Sequence, residues 1–284
     1  MNKSHLKLTL GTGLACIALL TGSAGAITAS AGDLILGFRA AGGQGSSLNL
    51  EVNLGPASSY GGLAPNTSFV VTRLNVLDLV STYGANWDVR DDLSFGIVGA
   101  TGASPSGGFP ARTLWASSAE TTPGSASSPW QRGSASAQQN ASGAITTIYS
   151  GPAGSLANGS ATANSAFSTV INAGDGGSWS VQEDLTVGNS FRRFTPTVRI
   201  SLGDIPAAPS VYDGTNGYSV LDVWEVRPGS GDGALLGAFG LNAGGQLVFS
   251  NSPSVFAAVP EPTVSLSLTA ASLALLARRR RTAR

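Results

Sequence analysis

Between residues 32 and 258, carboxylates, arginines and hydroxyls are the side chains left to do chemistry. The 284-residue chain has one histidine (His5), one cysteine (Cys16), one methionine (Met1) and two lysines (Lys3 and Lys7), all close to the N-terminus. The body therefore lacks a thiol nucleophile, an imidazole base and every nitrogen or sulfur side-chain ligand for a metal. Ser-His-Asp hydrolysis, lysine Schiff-base chemistry, structural zinc, haem and iron–sulfur clusters are excluded on that ground. A pair of carboxylates remains, and such a pair hydrolyses a glycoside when its members stand about 5–10 Å apart. The candidates are Asp91/Asp92, Glu183/Asp184 and Asp222/Glu225. Adjacent residues of a strand point to opposite faces, so neither neighbouring pair makes a dyad by itself. Solvated turn or edge charges explain all three more simply. No catalytic residue is assigned, and the body is read as non-enzymatic.

Three oxygen-rich turns, Asp175-Gly176-Gly177, Asp213-Gly214-Thr215-Asn216 and Gly231-Asp232-Gly233, invite a calcium reading. None has the ligand spacing of an EF-hand or a nonapeptide repeat, and ordinary turn chemistry accounts for them. Gly42-Gly43-Gln44-Gly45 lacks the lysine of a phosphate loop and is a turn. No metal or cofactor is assigned. Tryptophan faces make platforms for sugars, and there are five: Trp87, Trp115, Trp130, Trp179 and Trp224. Trp130, between Pro129 and Gln131 in a polar stretch, is expected to be exposed and is the candidate carbohydrate contact. The others lie in strand-like contexts and are expected in the core.

The formal charge of zero hides an asymmetry: residues 32–258 carry nine arginines against fifteen acidic residues, a net charge of −6. An acidic body without lysine has no footprint for nucleic acid and is disfavoured at an anionic membrane. With no disulfide available, a hydrophobic core must hold it.

Alternation and turns place the elements. Asp33 to Arg39 reads as a strand, and Leu48, Leu50, Val52 and Leu54 alternate with Asn49, Glu51 and Asn53, a strand with one buried and one wet face. A hairpin between the two is expected. Val76 to Tyr83 has helical spacing, with Asn75 as N-cap and Gly84 at its end. Further strands are expected at Phe69 to Val71, Leu93 to Gly99, Thr113 to Ser117, Trp179 to Val187, Thr197 to Leu202 and Tyr218 to Arg227. A closing hairpin turns at Asn242-Ala243-Gly244-Gly245. A Ser/Ala/Gly-rich stretch near 119–172 reads as a mobile insertion with a short helix within Ser134 to Tyr149. Short strands, abundant glycine and few helix formers predict a mainly β fold, an antiparallel β-sandwich-like domain with a few short helices.

Both ends differ from this body. Lys3 and Lys7 precede an apolar run from Leu8 to Leu20, followed by Ala24-Gly25-Ala26 and Ala29-Ser30-Ala31. That is the layout of a secretory signal peptide over residues 1–31, handled by the Sec translocon. Cleavage after Ala26 and after Ala31 both fit, with Ala31 preferred because the first strand-like residues follow it. Cys16 lies inside the apolar run, with Gly13 three positions before it, which argues against a lipoprotein signal. Residues 259–284 hold Val259-Pro260-Glu261-Pro262, an uncharged leucine-rich run from Thr263 to Ala277, and Arg278-Arg279-Arg280-Arg281. The prolines stop a helix from propagating upstream. As a helix the run spans about 22 Å, short of the ~30 Å hydrocarbon core, which suits a transient transmembrane anchor with its arginines in the cytoplasm.

This order of motif, apolar segment and arginine block resembles the PEP-CTERM sorting signal of exported bacterial proteins. The resemblance implies recognition through Pro260, Glu261, Pro262 and Arg278 to Arg281 by an exosortase, a membrane-embedded cysteine transpeptidase that cuts near the Pro-Glu-Pro. It also implies transient anchoring in the inner membrane of a Gram-negative-type cell. Release to the cell surface or an extracellular exopolysaccharide matrix would follow, and O-glycosylation of the hydroxyl-rich stretch fits that setting. The strand patterns at Asp33 to Arg39, Leu48 to Leu54 and Gly240 to Phe249 are also similar to the bodies of PEP-CTERM proteins, a likeness that carries no activity. The expected function is structural or adhesive, with a carbohydrate-binding module and a secreted carboxylate-dependent glycosidase as alternatives.

Overall fold

The computed structural model describes residues 27–119, 124, 130–150, 160–161, 164–184, 190–191 and 217–256. The expected strands at Thr197 to Leu202 and the apolar run at Thr263 to Ala277 lie outside them. Ten strands are described: β1 (Asp33–Ala40), β2 (Leu48–Pro56), β3 (Ser68–Val71), β4 (Leu93–Ala100), β5 (Leu114–Ala119), β6 (Ser160–Ala161), β7 (Ser168–Asn172), β8 (Tyr218–Val226), β9 (Ala234–Asn242) and β10 (Leu247–Ser250). They form one curled antiparallel sheet in the order β3-β10-β9-β8-β5-β4-β1-β2-β7-β6. The chain is mainly β as expected, but the two facing sheets of a sandwich are replaced by one continuous ladder. Helices and loops supply the second layer. They are α1 (Val76–Tyr83), α2 (Gln139–Ser150) and α3 (Trp179–Glu183).

The expected hairpins form. β1 pairs with β2, and β9 with β10 across a turn in which Gly245 donates its amide to the Asn242 carbonyl. Helix α1 also begins and ends where its caps predict. The Asn75 side chain accepts from the Leu77 amide, and Gly84 closes the helix at φ +97°, a conformation that favours glycine.

The wet face expected on β2 is dry: Asn49 and Glu51 are fully buried and Asn53 nearly so. The cover over Asn49 and Glu51 is α3, which takes the place of the first five residues of the strand expected at Trp179 to Val187; residues 185–187 lie outside the described residues. Ser178 starts the helix, its hydroxyl accepting from the Val181 amide, an N-cap that overrides the β preference of Trp and Val. Glu51 Oε1 accepts the Trp179 amide at 2.6 Å, and Asn49 Oδ1 accepts the Ser180 amide at 3.0 Å. These are helix-start donors that have no carbonyl partner within the helix. At the other end, Arg39 on β1 pairs with Glu183 at 2.9 Å. The Trp179 indole then lies flat against β1 at Gly37, where a Cβ atom would meet its ring at 2.0 Å.

The Ser/Ala/Gly-rich stretch near 119–172 is integrated in the fold through its described residues. β7 pairs with β2, and Ala141, Ala144, Ile145, Ile148 and Tyr149 of α2 are buried in the main core. Small residues let the helix lie close to its neighbours, so few large side chains are needed there.

Replacing Gly37 with alanine should drive a methyl into the Trp179 ring and lower stability by about 1–3 kcal/mol. Gly143→Ala in α2, where an added Cβ meets nothing within 4 Å, should raise it by about 1 kcal/mol. Denaturant midpoints of the two variants, moving in opposite directions from wild type, check both.

Candidate functional site

The three carboxylate pairs separate in space or in role. Asp92 accepts a forked pair of bonds from Arg90, Nε to Oδ1 at 2.8 Å and Nη2 to Oδ2 at 2.7 Å, and a third from the Gly42 amide at 3.1 Å. Arg90 also donates to the carbonyls of Gly42, Gln44 and Tyr83. The Arg90 hydrogen bond holds the Asp92 carboxyl below the usual carboxylate range, and Asp92 in turn raises Arg90. Asp91 beside it is exposed. This group ties the β1–β2 loop to the segment before β4. Glu183 is buried against Arg39, whereas Asp184 is exposed. Asp222 sits across from Ser118 and Ala238, and Glu225 across from Trp115 and Ala234, so the two point to opposite faces of the sheet. Asp222 is buried and accepts the Gly124 amide at 2.7 Å; Glu225 pairs with Arg227. No pair converges.

Of the turns weighed for calcium, Asp175 is exposed and its carbonyl accepts the Ser178 amide on the way into α3. Asp232 accepts from the Gln131 side chain at 2.5 Å. Asp213-Gly214-Thr215-Asn216 lies outside the described residues. Among the described residues, no group of three or more His, Cys, Asp or Glu side chains gathers around a common point.

Trp130 is buried, at 5 % exposure, which overturns its expected role as an exposed sugar platform. Its carbonyl accepts the Gly233 amide, and Gln131 bridges to Asp232, so the backbone at Trp130 is tied to the β8–β9 loop. Flanking Pro129 and Gln131 gave no sign of that distant loop. The other four tryptophans are in the core as expected.

Aromatic exposure is found instead at Phe167, which is 41 % exposed and held under the Arg73 guanidinium, 4.4 Å from the ring centroid. It borders a groove of about 420 Å³ between the start of α1, the segment before β7 and the β9–β10 turn, with Asn75, Asn164 and Gln246 along its walls. Asn75 Nδ2 donates to the Asn164 carbonyl at 2.8 Å, and Asn164 Nδ2 donates to buried Asp78 at 3.0 Å, so two walls are fixed to each other. Gln246 is exposed. An aromatic edge among amides suits a neutral polyhydroxylated ligand. Sequence reading missed Phe167 because it weighed only tryptophans. A smaller depression of about 280 Å³ is lined by Tyr60, Leu63, Glu225 and Asn251.

Three buried phenols act on the backbone. Tyr83 hydroxyl donates to the Phe38 carbonyl at 2.7 Å and accepts the Leu50 amide at 3.1 Å, bridging β1 and β2. Tyr149 hydroxyl donates to the Asp33 carbonyl at 2.7 Å and accepts the Ala100 amide at 2.8 Å, bridging β1 and β4. Tyr60 hydroxyl donates to the Leu54 carbonyl at 2.8 Å. Burial pushes the Tyr60 phenol up to about 12 and raises Tyr83 and Tyr149 in the same direction.

Of the residues expected to direct export, Ala26, Pro260, Glu261, Pro262 and Arg278 to Arg281 lie outside the described residues. Ala31 is described; it is exposed, and its carbonyl accepts from the Ser106 hydroxyl at 2.7 Å. Among the described residues, no helix is long and apolar enough to cross a membrane. Compared with known proteins, the chain matches no family model, no curated protein and no solved structure.

The phenols set an alkaline limit. An unfolded tyrosine ionises near pH 10, before the Tyr60 phenol does at about 12. Its stabilising contribution is therefore complete below pH 10 and is lost as pH rises from there through 12. Melting temperature should fall over that window, and Tyr60→Phe should flatten the fall. An unchanged pH profile in the variant counts against the assignment.

Proposed function

We propose that this is an exported surface or extracellular-matrix protein of structural or adhesive type, sorted by an exosortase through its C-terminal PEP-CTERM-like signal. One observation supports the reading: the described core reaches, at both ends, close to the two segments expected to be processed. Its first described residue, Ile27, is buried in the core directly after the Ala24-Gly25-Ala26 site. Its last, Phe256, is buried against Tyr218, Val220 and Ala238, just ahead of Pro260. Cuts after Ala26 and near Pro260 would keep both of these core residues in the product. Body and tag have separate jobs: the tag directs, and the body persists after release.

A second reading, binding of exopolysaccharide, has support of its own in the groove beside Phe167. The partly exposed ring offers an apolar contact for the C–H groups of a sugar, and the exposed Gln246 amide offers a donor and an acceptor for hydroxyls. The dispersed carboxylate pairs lend no support to a glycosidase.

Intact-mass analysis of protein shed from the surface of its native host tests the sorting reading. The expected product lacks the signal peptide and everything downstream of the Pro-Glu-Pro region, and Glu261→Ala should leave the precursor in the membrane fraction. Surface protein that still ends in Arg284 would sink the idea. For the groove, Phe167→Ala should weaken retention on the host's exopolysaccharide by about tenfold, the scale of one aromatic contact. Equal retention of variant and wild type removes the second reading and leaves the first.

A further inference from the structure

We infer that signal peptidase cuts this chain between Ala26 and Ile27, and that residues 27–31 are kept as a structural strap of the mature domain. The inference rests on the export reading above. Two small-x-small sites compete, Ala24-Gly25-Ala26 and Ala29-Ser30-Ala31, and the residues between them are built into the body. Ile27 is 4 % exposed and belongs to the main core, with Ala29 packed against it from the rim. The Thr28 carbonyl accepts from Asn53 Nδ2 at 2.9 Å. Asn53 is itself 5 % exposed and donates also to Asp33 Oδ2, which accepts the Ser30 amide at 2.9 Å. The Ser30 carbonyl then receives the Asp33 amide at 2.9 Å, and the Ala31 carbonyl receives the Ser106 hydroxyl at 2.7 Å.

A cut after Ala31 would remove this whole strap. Ile27 would leave a void in the core, and buried Asn53 would lose its Thr28 acceptor. A cut after Ala26 keeps the whole strap on the domain. The peptidase meets the chain before it folds, so burial does not shield the second site; reach decides between them. From Leu20, the last residue of the apolar run, Ala26 is six residues away and at most about 21 Å, whereas Ala31 is at most about 39 Å. A membrane-bound peptidase working at the bilayer surface meets the nearer site first. In the cut, water adds across the Ala26–Ile27 peptide bond, leaving a carboxylate on Ala26 with the departing signal and an ammonium group on Ile27.

The test is expression of the full chain in a Gram-negative host with a working Sec pathway, followed by N-terminal sequencing of the exported protein. The expected first residue is Ile27. A first residue of Gly32 overturns the proposal while leaving export standing; an intact Met1 on protein held in the cytoplasm overturns export and the proposal together. Two variants separate the sites further, because a bulky residue at the last position of a small-x-small motif blocks its use. Ala26→Phe should stop processing at Ile27, whereas Ala31→Phe, at an exposed position, should leave the Ile27 terminus unchanged. Loss of processing in Ala31→Phe alone would also overturn the assignment.

Discussion

Three amide groups at the start of a five-residue helix decide how the β1–β2 part of the sheet is used. The Trp179, Ser180 and Val181 amides have no carbonyl behind them in α3, and burying such a donor unpaired costs about 1–3 kcal/mol. Glu51, Asn49 and Ser178 take one each. Two of those acceptors belong to β2, so the polar side of an amphipathic strand becomes the docking surface of a helix. The same placement puts the Trp179 indole on Gly37 and brings Glu183 to Arg39. Phe191 meets the indole edge-on, 5.1 Å between centroids, and extends the cover beyond the helix.

Strand β1 depends on that cover and on two phenols. Tyr83 joins it to β2 and Tyr149 joins it to β4, each hydroxyl donating to a β1 carbonyl and accepting a neighbour's amide. The two tyrosines come from α1 and α2, so both helices are attached to the sheet's backbone as well as to its side chains. Elsewhere the aromatic group of Tyr60, Phe69, Phe239 and Phe249, with ring centroids about 5–6 Å apart, holds the edge strand β3 and its neighbour β10 against β9.

Much of the fold was legible in the sequence wherever the signal was local. Asn75 and Gly84 bound a helix because an amide acceptor and a positive φ are properties of those residues. The Asn242-Ala243-Gly244-Gly245 turn marks a hairpin for the same kind of reason. What failed was non-local. Asn49, Glu51 and Asn53 alternate with leucine and valine like a wet face, and nothing nearby says that a helix some 130 residues later will need their oxygens. Trp179 to Val187 reads as strand by composition, but Ser178 caps Trp179–Glu183 as a helix. One ladder in place of two sheets was likewise hidden, since alternation shows which residues face inward but not what lies opposite. For the candidate site, the carboxylates could be listed but not paired, because pairing depends on strand register. Phe167 gained its setting from Arg73, a residue far away in the chain.

Phe256 has a mechanical consequence. It is buried and is the last described residue, and Ala257, Ala258 and Val259 separate it from Pro260. Fully stretched, that leash reaches about 14 Å at most. On the sorting reading proposed above, an anchored tag would keep the domain within that distance of the lipid surface, and a body with a net charge of −6 would be repelled by an anionic leaflet.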